Sequence, residues 1–334
     1  MERRKKATIH DIAERAGVSI STVSRVLTGN AFVAEDKRQA VLKAAEELNY
    51  RPNVFAQALA SGQSYIIGVL TQNLGNPFFE SIMSGILQGM EGSEYSLIFS
   101  DGLYQPEVEK KALQTLLGRQ VDGLIVLGGR VPEEYLYDIA EHLPLIMVGR
   151  NLAELREQCL SMDQVEGGYK ATKYLIDMGH RHIAHITGIT YHHDAVDRLK
   201  GYKQALADAG IEIDPALIVE GSFQERSGVL AVEALLARGK PFSAIFASND
   251  QMAYGASLAL WRRGIRVPED VSIIGYDDHP SAAYVVPPLT TIQQPAQEMG
   301  QAAARAILRA LQGEPFELPE IPVKLIVRES VARV

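Results

Sequence analysis

The sequence predicts a small all-α head followed by a larger α/β body, and three observations support this division. Residues 1–52 show only helical patterns, in which apolar side chains recur every three or four positions. From Ser64 onward, short apolar runs alternate with helical stretches, which is the pattern of buried parallel strands joined by helices. The runs form two series, and 334 residues at 46% hydrophobic content are enough for two or three cored units. We therefore expect a helix-turn-helix head and two tandem doubly wound parallel-sheet lobes.

The head begins with two short helical runs separated by Gly17. Gly17 supplies the turn between them, and Ser19 is placed to cap the second helix. Apolar residues at helical spacing mark the inner side of each run. These are Ile9, Ile12, Ala13 and Ala16 in the first helix and Val23, Val26 and Leu27 in the second.

The outer face of the second helix indicates DNA binding. Ile20, Ser21, Ser24 and Arg25 point away from the predicted core. Backbone N–H groups and hydroxyls at an exposed helix N-terminus bind phosphates, and Arg can pair with a guanine edge. A small helical hairpin without this role is the alternative interpretation. The turn, the cap and the outward Arg together disfavour it.

A third helix and a shorter helical run complete the N-terminal region. Residues 34–48 predict a helix, and Pro52 prevents its continuation. Ala34 stands at the predicted N-cap, where Ala cannot accept a hydrogen bond from the free N–H groups. Residues 53–60 form a run shorter than the ~12–15 residues that a helix needs to be stable alone, so this run should fold only when held. The predicted inward residues of the third helix are Val41, Leu42, Ala45 and Leu48.

The body contains two series of strand-like runs. The first series lies at residues 66–70, 97–99, 123–127 and 145–148, and the second at 183–186, 217–219, 244–247 and 272–275. A further strand-like run follows at 323–327, and the clearest helical stretches are 164–178 and 250–263. Ligands of doubly wound sheets bind at the carboxyl ends of the strands, so we expect a site in the cleft between the two lobes.

Polar and aromatic residues follow the predicted strands at these carboxyl ends. Carboxylates, Arg and amides offer both donors and acceptors to a ligand rich in hydroxyl groups, and Phe78 and Phe223 could cover its apolar faces. The alternative is that the Asp residues only cap helices and that the two Phe side chains are ordinary core. The residues in question are Asn76, Pro77, Phe78, Phe79, Arg150, Asn151, Asp163, Asp194, Arg198, Phe223, Asn249, Asp250, Asp277 and Gln294.

Residues 18–25, Val-Ser-Ile-Ser-Thr-Val-Ser-Arg, resemble the head of the lactose-repressor (LacI-type) family of bacterial transcriptional regulators. The resemblance continues in order through residues 49–53, 76–79, 248–253, 275–278 and 287–292. It implies a body with a periplasmic-binding-protein fold and a homodimer on near-palindromic operator DNA. It also implies that residues 53–60 form a hinge helix, which pairs with its dimer mate in the minor groove, where Leu59 parts a base step.

The resemblance also implies the roles of individual residues. DNA contacts are expected from Thr8, Ser19, Ile20, Ser21, Thr22, Ser24, Arg25, Asn53, Ala56 and Leu59. Effector contacts are expected from Phe78, Asp163, Arg198, Phe223, Asn249, Asp277 and Gln294. Gly149 departs from the acidic or bulkier residue of some sugar-responsive relatives, and the loop 191–194, Tyr-His-His-Asp, is unusually aromatic and basic. These departures leave the identity of the effector open.

The charge distribution agrees with DNA binding at the head. The whole chain has a net charge of −8. Residues 1–64 carry ten Lys and Arg against seven Asp and Glu, a net +3, which leaves −11 for the rest. An acidic body disfavours indiscriminate coating of DNA, whereas the basic head can approach it.

Several other classes of function are disfavoured by the sequence. It lacks the common phosphate-binding, dinucleotide-binding, nucleophile-elbow and zinc-protease motifs, so we expect no enzyme and no cofactor. Five histidines, at 180, 182, 185, 192 and 193, have no helical metal-ligand spacing, so we expect no metal. The sequence has one cysteine, Cys159, which suits a reducing compartment. It has no apolar run of ~20 residues and no apolar signal segment, so we expect a cytoplasmic protein without a membrane span.

We therefore expect a ligand-responsive transcriptional repressor with a sugar or sugar derivative as effector. A nucleobase or nucleoside effector is one alternative, and a cytoplasmic sugar-binding protein with a partner-binding helical head is another. The expected domains are the head (1–52), the hinge and linker (53–63) and the effector-binding and dimerisation domain (64–334). Within the last, lobe 1 covers about 64–161 and 295–322, and lobe 2 about 162–294 and 323–334. No leucine heptads follow residues 323–327, so we expect a dimer rather than a tetramer.

Overall fold

The computed structural model describes residues 7–28, 33–50 and 63–334. The described part of the head contains three helices, α1 (Ile9–Ala16), α2 (Ile20–Thr28) and α3 (Glu35–Glu47). A capping box begins α1, because the Asp11 carboxylate accepts the Thr8 N–H at 2.7 Å and the Thr8 hydroxyl accepts the Asp11 N–H at 3.4 Å. Gly17 ends α1 in the left-handed region with φ 66°, and the Ser19 hydroxyl accepts the Thr22 N–H at 3.2 Å. The turn predicted at Gly17 and the cap predicted at Ser19 are thus confirmed.

Among its described residues, the head packs around a small core of five buried residues, Ile12, Ala13, Val23, Val41 and Ala44. The prediction that Leu42 faces this core is wrong, since 42% of Leu42 is exposed. The inner face of α3 runs through positions 41, 44, 45 and 48, which are three or four residues apart. Leu42 is one position beyond Val41 and is therefore turned about 100° away from that face.

The first body sheet contains five parallel strands in the order β2-β1-β3-β4-β5. Its strands are β1 (Ile66–Thr71), β2 (Ser96–Asp101), β3 (Gly123–Leu127), β4 (Leu145–Val148) and β5 (Cys159–Leu160). The helices that follow β1, β2 and β3 are α4 (Pro77–Gly89), α5 (Pro106–Leu117) and α6 (Glu133–Ala140). The strands β3 and β4 are buried along their whole length, as their continuous apolar sequences predict.

The second sheet has six strands in the order β11-β10-β9-β8-β6-β7. They are β6 (Ile183–Thr187), β7 (Ile218–Glu220), β8 (Ala244–Ala247), β9 (Ser272–Asp277), β10 (Thr290–Gln293) and β11 (Lys324–Ile326). Its helices are α7 (Gln164–Asp177), α8 (His193–Asp208), α9 (Glu225–Ala237) and α10 (Asp250–Arg262). The sheet is parallel except for β11, which runs antiparallel to β10 and departs from the all-parallel expectation.

The chain passes between the two sheets more than once. After β10 in the second sheet, α11 (Ala296–Leu311) packs against α4, β3 and β4 of the first sheet. The chain then returns, and β11 joins the edge of the second sheet. We call the unit around the first sheet lobe 1 and the unit around the second sheet lobe 2. The carboxyl ends of both sets of parallel strands lead into loops that line one cavity.

Candidate functional site

The cavity between the lobes has a volume of about 390 Å³ and lies at the strand ends, where a doubly wound fold binds ligands. Lobe 1 contributes side chains from the loops after β1 and β2, and lobe 2 contributes side chains from its strand ends and helix starts. The main lining residues are Gln72, Asn76, Phe78, Phe79 and Tyr104 from lobe 1 and His192, Asp194, Arg198, Phe223, Asn249, Asp277 and Gln294 from lobe 2. Six of the seven predicted effector contacts are therefore brought together.

Arg198 in α8 is a buried cation that lines this cavity, with 3% of its surface exposed. Its Nε donates to the Gln164 Oε1 at 2.9 Å, one Nη donates to the Ser248 carbonyl, and the guanidinium carbon lies 3.7 Å from the centre of the Tyr276 ring. The helices α7 and α8 approach closely at Gly168, where an added Cβ would lie 2.2 Å from the Arg198 carbonyl oxygen. Packing and hydrogen bonds therefore fix the guanidinium before any ligand arrives.

A chain of side-chain hydrogen bonds links Arg198 to Asp277. Gln164, which accepts from Arg198, donates its Nε2 to the Gln294 Oε1 at 3.1 Å. Gln294 in turn donates its Nε2 to the Asp277 Oδ1 at 2.7 Å. Burial raises the pKa of Asp277 to about 6, although Arg198 and the Gln294 hydrogen bond both oppose the rise. The cavity wall thus presents a cation and a titratable carboxyl group on one connected frame.

Asn249 and Asp250 both lie at the start of α10 but have different roles. The Asn249 Oδ1 accepts the Met252 N–H at 3.0 Å, and its Nδ2 donates to the Phe223 carbonyl at 3.1 Å, so Asn249 also positions Phe223. The Asp250 carboxylate accepts from the Thr291 hydroxyl at 2.6 Å and from the His279 N–H at 2.8 Å. Burial and the nearby Asp277 raise the pKa of Asp250. These bonds place Asp250 in the structural frame behind the cavity.

A belt of aromatic rings crosses the cavity from one lobe to the other. Phe78 and Phe79 of α4 have ring centres 5.4 Å apart, and the Tyr104 ring lies 6.0 Å from Phe79. Tyr104 stacks on His192 of lobe 2 at 3.8 Å, and His192 lies 5.5 Å from Phe223. Sequence reasoning did not assign Gln72, Tyr104 or His192 to the site. The rule that ligands meet strand ends could have found Gln72 and Tyr104, which follow β1 and β2.

Asp163 does not line the cavity, unlike the other predicted effector contacts. Its side chain is exposed and caps α7, accepting the Glu166 N–H at 2.9 Å. The next residue, Gln164, is buried and carries the link between Arg198 and Gln294. Arg150 and Asn151 line a neighbouring cavity instead.

Two histidines of the body, His180 and His185, have structural roles. His180 contacts the Ser243 hydroxyl at 2.8 Å and the Ser272 hydroxyl at 3.0 Å. His185 lies in the core between the rings of Tyr202 and Phe246, and burial lowers its pKa to about 4. Among the described residues, no group of three His, Cys, Asp or Glu side chains could hold a metal ion. Within residues 7–28, 33–50 and 63–334, no helix is long and apolar enough to cross a membrane.

The predicted DNA-contact face of the head is exposed on α1 and α2. Ile20, Ser21, Ser24 and Arg25 lie at the surface, together with Thr8 and Ser19, whereas Thr22 is half-buried. The hydroxyl oxygens of Ser19 and Thr22 are 2.9 Å apart. Three further predicted DNA contacts, Asn53, Ala56 and Leu59, lie outside the described residues.

Residues 8–53 match the family of bacterial regulatory proteins described as the lacI family, and residues 172–331 match the periplasmic binding protein-like domain. The ribose operon repressor of Haemophilus influenzae is 38% identical over 327 residues, covering 97% of this chain and 98% of that protein. A transcriptional repressor named PurR from Edwardsiella ictaluri is 36% identical, covering 98% and 97%. A lac repressor dimer bound to operator and the anti-inducer ONPF superposes with a TM-score of 0.86, at 30% identity and with coverage of 98% and 100%.

A complex of the transcriptional regulator CelR with cellobiose superposes with a TM-score of 0.71 at 34% identity, covering 97% of this chain and 99% of that one. These similarities extend over both the head and the body. The chain therefore belongs to the LacI family of bacterial regulatory proteins, which are DNA-binding transcriptional regulators that respond to small-molecule effectors.

Proposed function

We propose that this protein is a transcriptional repressor whose affinity for a near-palindromic operator is controlled by a small metabolite bound in the cavity between the lobes. The observation that carries the proposal is the chain of hydrogen bonds that runs from the buried Arg198 through Gln164 and Gln294 to the half-buried Asp277. A frame of this kind holds charged and polar groups in place at a ligand cavity before the ligand binds, which lowers the ordering cost of binding. The head on the same chain supplies the DNA contacts.

The proposed effector is a sugar or sugar derivative. Arg198 supplies donors, Asp277 and Asp194 supply acceptors, and all three line the same cavity. Alternating donors and acceptors suit a ligand whose hydroxyl groups both donate and accept. The names of two similar proteins point the same way, since one represses a ribose operon and another is solved with cellobiose.

A nucleobase or nucleoside is the second candidate, and the aromatic belt is the observation that favours it. The rings of Phe78, Tyr104 and Phe223 offer flat apolar surfaces on which a planar base could stack. The relatives named PurR are similar over nearly the whole chain. A sugar effector predicts binding that depends on hydroxyl groups, whereas a base effector predicts binding that survives their removal.

The functions proposed for the three parts of the chain are those expected from the sequence. Residues 1–52 would form the DNA-binding head, 53–63 the hinge and linker, and 64–334 the effector and dimerisation domain. Two heads on a two-fold dimer can reach two matching half-sites. Ligand-dependent closure of the lobes would change the distance between the two hinge segments and so permit or forbid their pairing in the minor groove. The protein would act as a regulator rather than as an enzyme, in the cytoplasm where its operator lies.

Arg198→Ala tests the cavity assignment. First, D-ribose, D-glucose, adenine and hypoxanthine are titrated calorimetrically into the wild-type chain. For the probe that binds, we expect Arg198→Ala to lose ~2–4 kcal/mol of binding free energy, because the ligand groups that Arg198 contacts are left buried without a partner. Operator binding without effector, followed by fluorescence anisotropy on a selected genomic fragment, should survive. Arg119→Ala, at an exposed arginine, is the matched control. Wild-type affinity in Arg198→Ala would refute the assignment.

A further inference from the structure

A stacked pair of rings separates the main cavity from a second one. The second cavity has a volume of about 270 Å³, and its lining shares Tyr104, His192 and Asp194 with the main cavity of about 390 Å³. Tyr104 follows β2 in lobe 1, and His192 follows β6 in lobe 2. Their ring centres lie 3.8 Å apart with an interplanar angle of 28°. We call this pair the partition.

Contacts on both sides hold the partition in place. The Tyr104 N–H donates to the Gln72 Oε1 at 3.0 Å. Next to His192, the Tyr191 ring lies beneath the guanidinium of Arg130 of lobe 1 at 4.4 Å. The backbone N–H of Arg130 is itself bound by the buried Glu109 carboxylate at 2.8 Å. The partition is thus the centre of a built contact between the lobes.

His192 has an unsatisfied polar atom at this place. The residue is 8% exposed, and its Nε2 has no hydrogen-bond partner. Burial and, to a smaller extent, the nearby cations Arg130, His193 and Arg198 lower the pKa of His192 to about 4, so the ring is neutral at ordinary pH. Asp194 lines the same two cavities from the first turn of α8. A buried ring nitrogen without a partner is costly, and a ligand hydroxyl in the adjoining cavity would satisfy it.

The second cavity has many polar side chains in its lining and enough volume to hold part of a larger ligand. Its lining includes Gly128, Gly129 and Gly149. The space beside Gly149 is open, since a Cβ added there would come no closer than 4.0 Å to its nearest neighbour, the Gly128 nitrogen. Arg150 on its wall donates to the Val131 carbonyl at 2.8 Å. Such a lining would accept the second ring of a two-ring ligand if the partition were absent.

We propose that Tyr104 and His192 restrict the effector to a single sugar ring, with the His192 Nε2 bound to one of its hydroxyl groups. The ring of His192 then serves two purposes, since it contacts the ligand in the main cavity and blocks the passage to the second cavity. This inference deepens the proposed function and rests on its sugar-binding cavity. It gives a role to the His192 loop, which the resemblance alone left unexplained.

The test compares one-ring and two-ring probes on the full-length protein. D-glucose with cellobiose and D-ribose with adenosine are matched pairs, because each two-ring probe contains its one-ring partner. We expect calorimetry to show that wild type binds the one-ring member of at least one pair at least about tenfold more tightly than the two-ring member. His192→Ala should weaken binding of that one-ring probe by about tenfold, the effect of one lost hydrogen bond, and should admit the two-ring probe.

Tyr104→Ala separates the two purposes of the partition. It opens the passage but keeps the imidazole, so the two-ring probe should gain affinity while the one-ring probe loses less than in His192→Ala. His182→Ala, at an exposed histidine outside the cavities, is the matched control, and thermal melts check that each variant folds.

Other results of these titrations would contradict the partition proposal alone or the sugar-effector proposal as well. If wild type binds a two-ring probe as tightly as its one-ring partner, or if neither variant changes the ratio of the two affinities, the partition proposal is wrong while the sugar-binding proposal stands. If wild type binds none of the four probes at millimolar concentration, both the sugar-effector proposal and the partition proposal are wrong. Operator binding, measured on the same preparations, reports separately on the head.

Discussion

At the scale of single residues, Asp277 shows how the ligand cavity is maintained at a cost in stability. Its backbone lies at φ 116°, and its half-buried carboxyl group lies beside the cavity, where desolvation raises its pKa to about 6. A carboxyl group with a raised pKa holds its proton more tightly in the folded chain than in the unfolded one. The folded state therefore binds more protons between the ordinary value of 3.8 and about 6, and stability falls as pH rises through this window.

Asp277→Asn should therefore stabilise the protein at neutral pH while weakening effector binding. The amide keeps an oxygen to accept from the Gln294 Nε2, but it has no charge to bury. We expect a gain of roughly 1–3 kcal/mol in the free energy of unfolding at about pH 8, which shrinks as pH falls to about 4. Urea melts of both proteins across this range measure the difference. A gain that is the same at every pH would show that the charge of Asp277 is not its cause.

Neighbouring residues show what the sequence could predict about the site and what it could not. The strand-end rule and the resemblance together selected Arg198, Asp277, Asn249, Gln294 and the two Phe residues, all of which line the cavity. They also selected Asp163, because a carboxylate after a strand satisfies the same rule whether it binds a ligand or caps a helix. The stacking of Tyr104 on His192 depends on how the two lobes approach, which no pattern within one segment records.

At the scale of secondary-structure elements, the sequence missed the strands β5 and β10 for different physical reasons. The sequence predicted the other strands of the sheets from their continuous apolar runs, which parallel strands covered on both faces need. The strand β5 is only two residues long, and β10 reads Thr-Thr-Ile-Gln, which looks half-polar. Thr290 and Thr291 are nevertheless fully buried, because the Thr291 hydroxyl donates to Asp250 and the Thr290 N–H donates to the Ser330 hydroxyl. Such distant partners are invisible in the sequence around the strand.

The start of α3 offers a direct test at this scale. Ala34 is the N-cap, with φ −55° and ψ 137°, and its side chain makes no capping hydrogen bond. Ala34→Ser should stabilise the head by ~0.5–1 kcal/mol, because the hydroxyl can accept one of the free N–H groups of the first turn. Denaturant unfolding of a fragment of residues 1–64, followed by circular dichroism, measures this gain. Thr8→Ala, which removes the capping box of α1, should shift the midpoint in the opposite direction.

An unchanged midpoint for Ala34→Ser, with the expected loss in Thr8→Ala, would contradict the assignment of Ala34 as the cap.

The hinge helix proposed for residues 53–60 lies outside the described residues, so its order on DNA and the role of Leu59 stay predictions. Its shortness is nevertheless informative, since a run of this length depends on partners for its stability. Such dependence is what would allow an effector to control it.

At the scale of the whole molecule, reading two half-sites requires a dimer, and one face of lobe 2 is suited to form it. Trp261 of α10 and Val286 border one surface groove, and both are largely exposed, as is nearby Tyr284. Large apolar side chains clustered at a surface indicate an interface. The solved lac repressor to which this chain is similar is a dimer. We therefore expect a second copy of this chain to cover this face.

Val286→Asp should separate the dimer without harming the fold of the single chain. Val286 is 94% exposed, so a charge there meets water in the monomer but would be buried at the interface. We expect the dimer dissociation constant, from sedimentation at micromolar concentration, to rise at least about tenfold, with the melting temperature extrapolated to low concentration unchanged. Val327→Asp, at another exposed valine, is the matched control and should stay dimeric. Operator affinity should fall with the loss of the dimer, because each head alone reaches only one half-site. A Val286→Asp protein that remains dimeric would place the interface on another face, and a wild type that sediments as a tetramer would contradict the expected assembly itself.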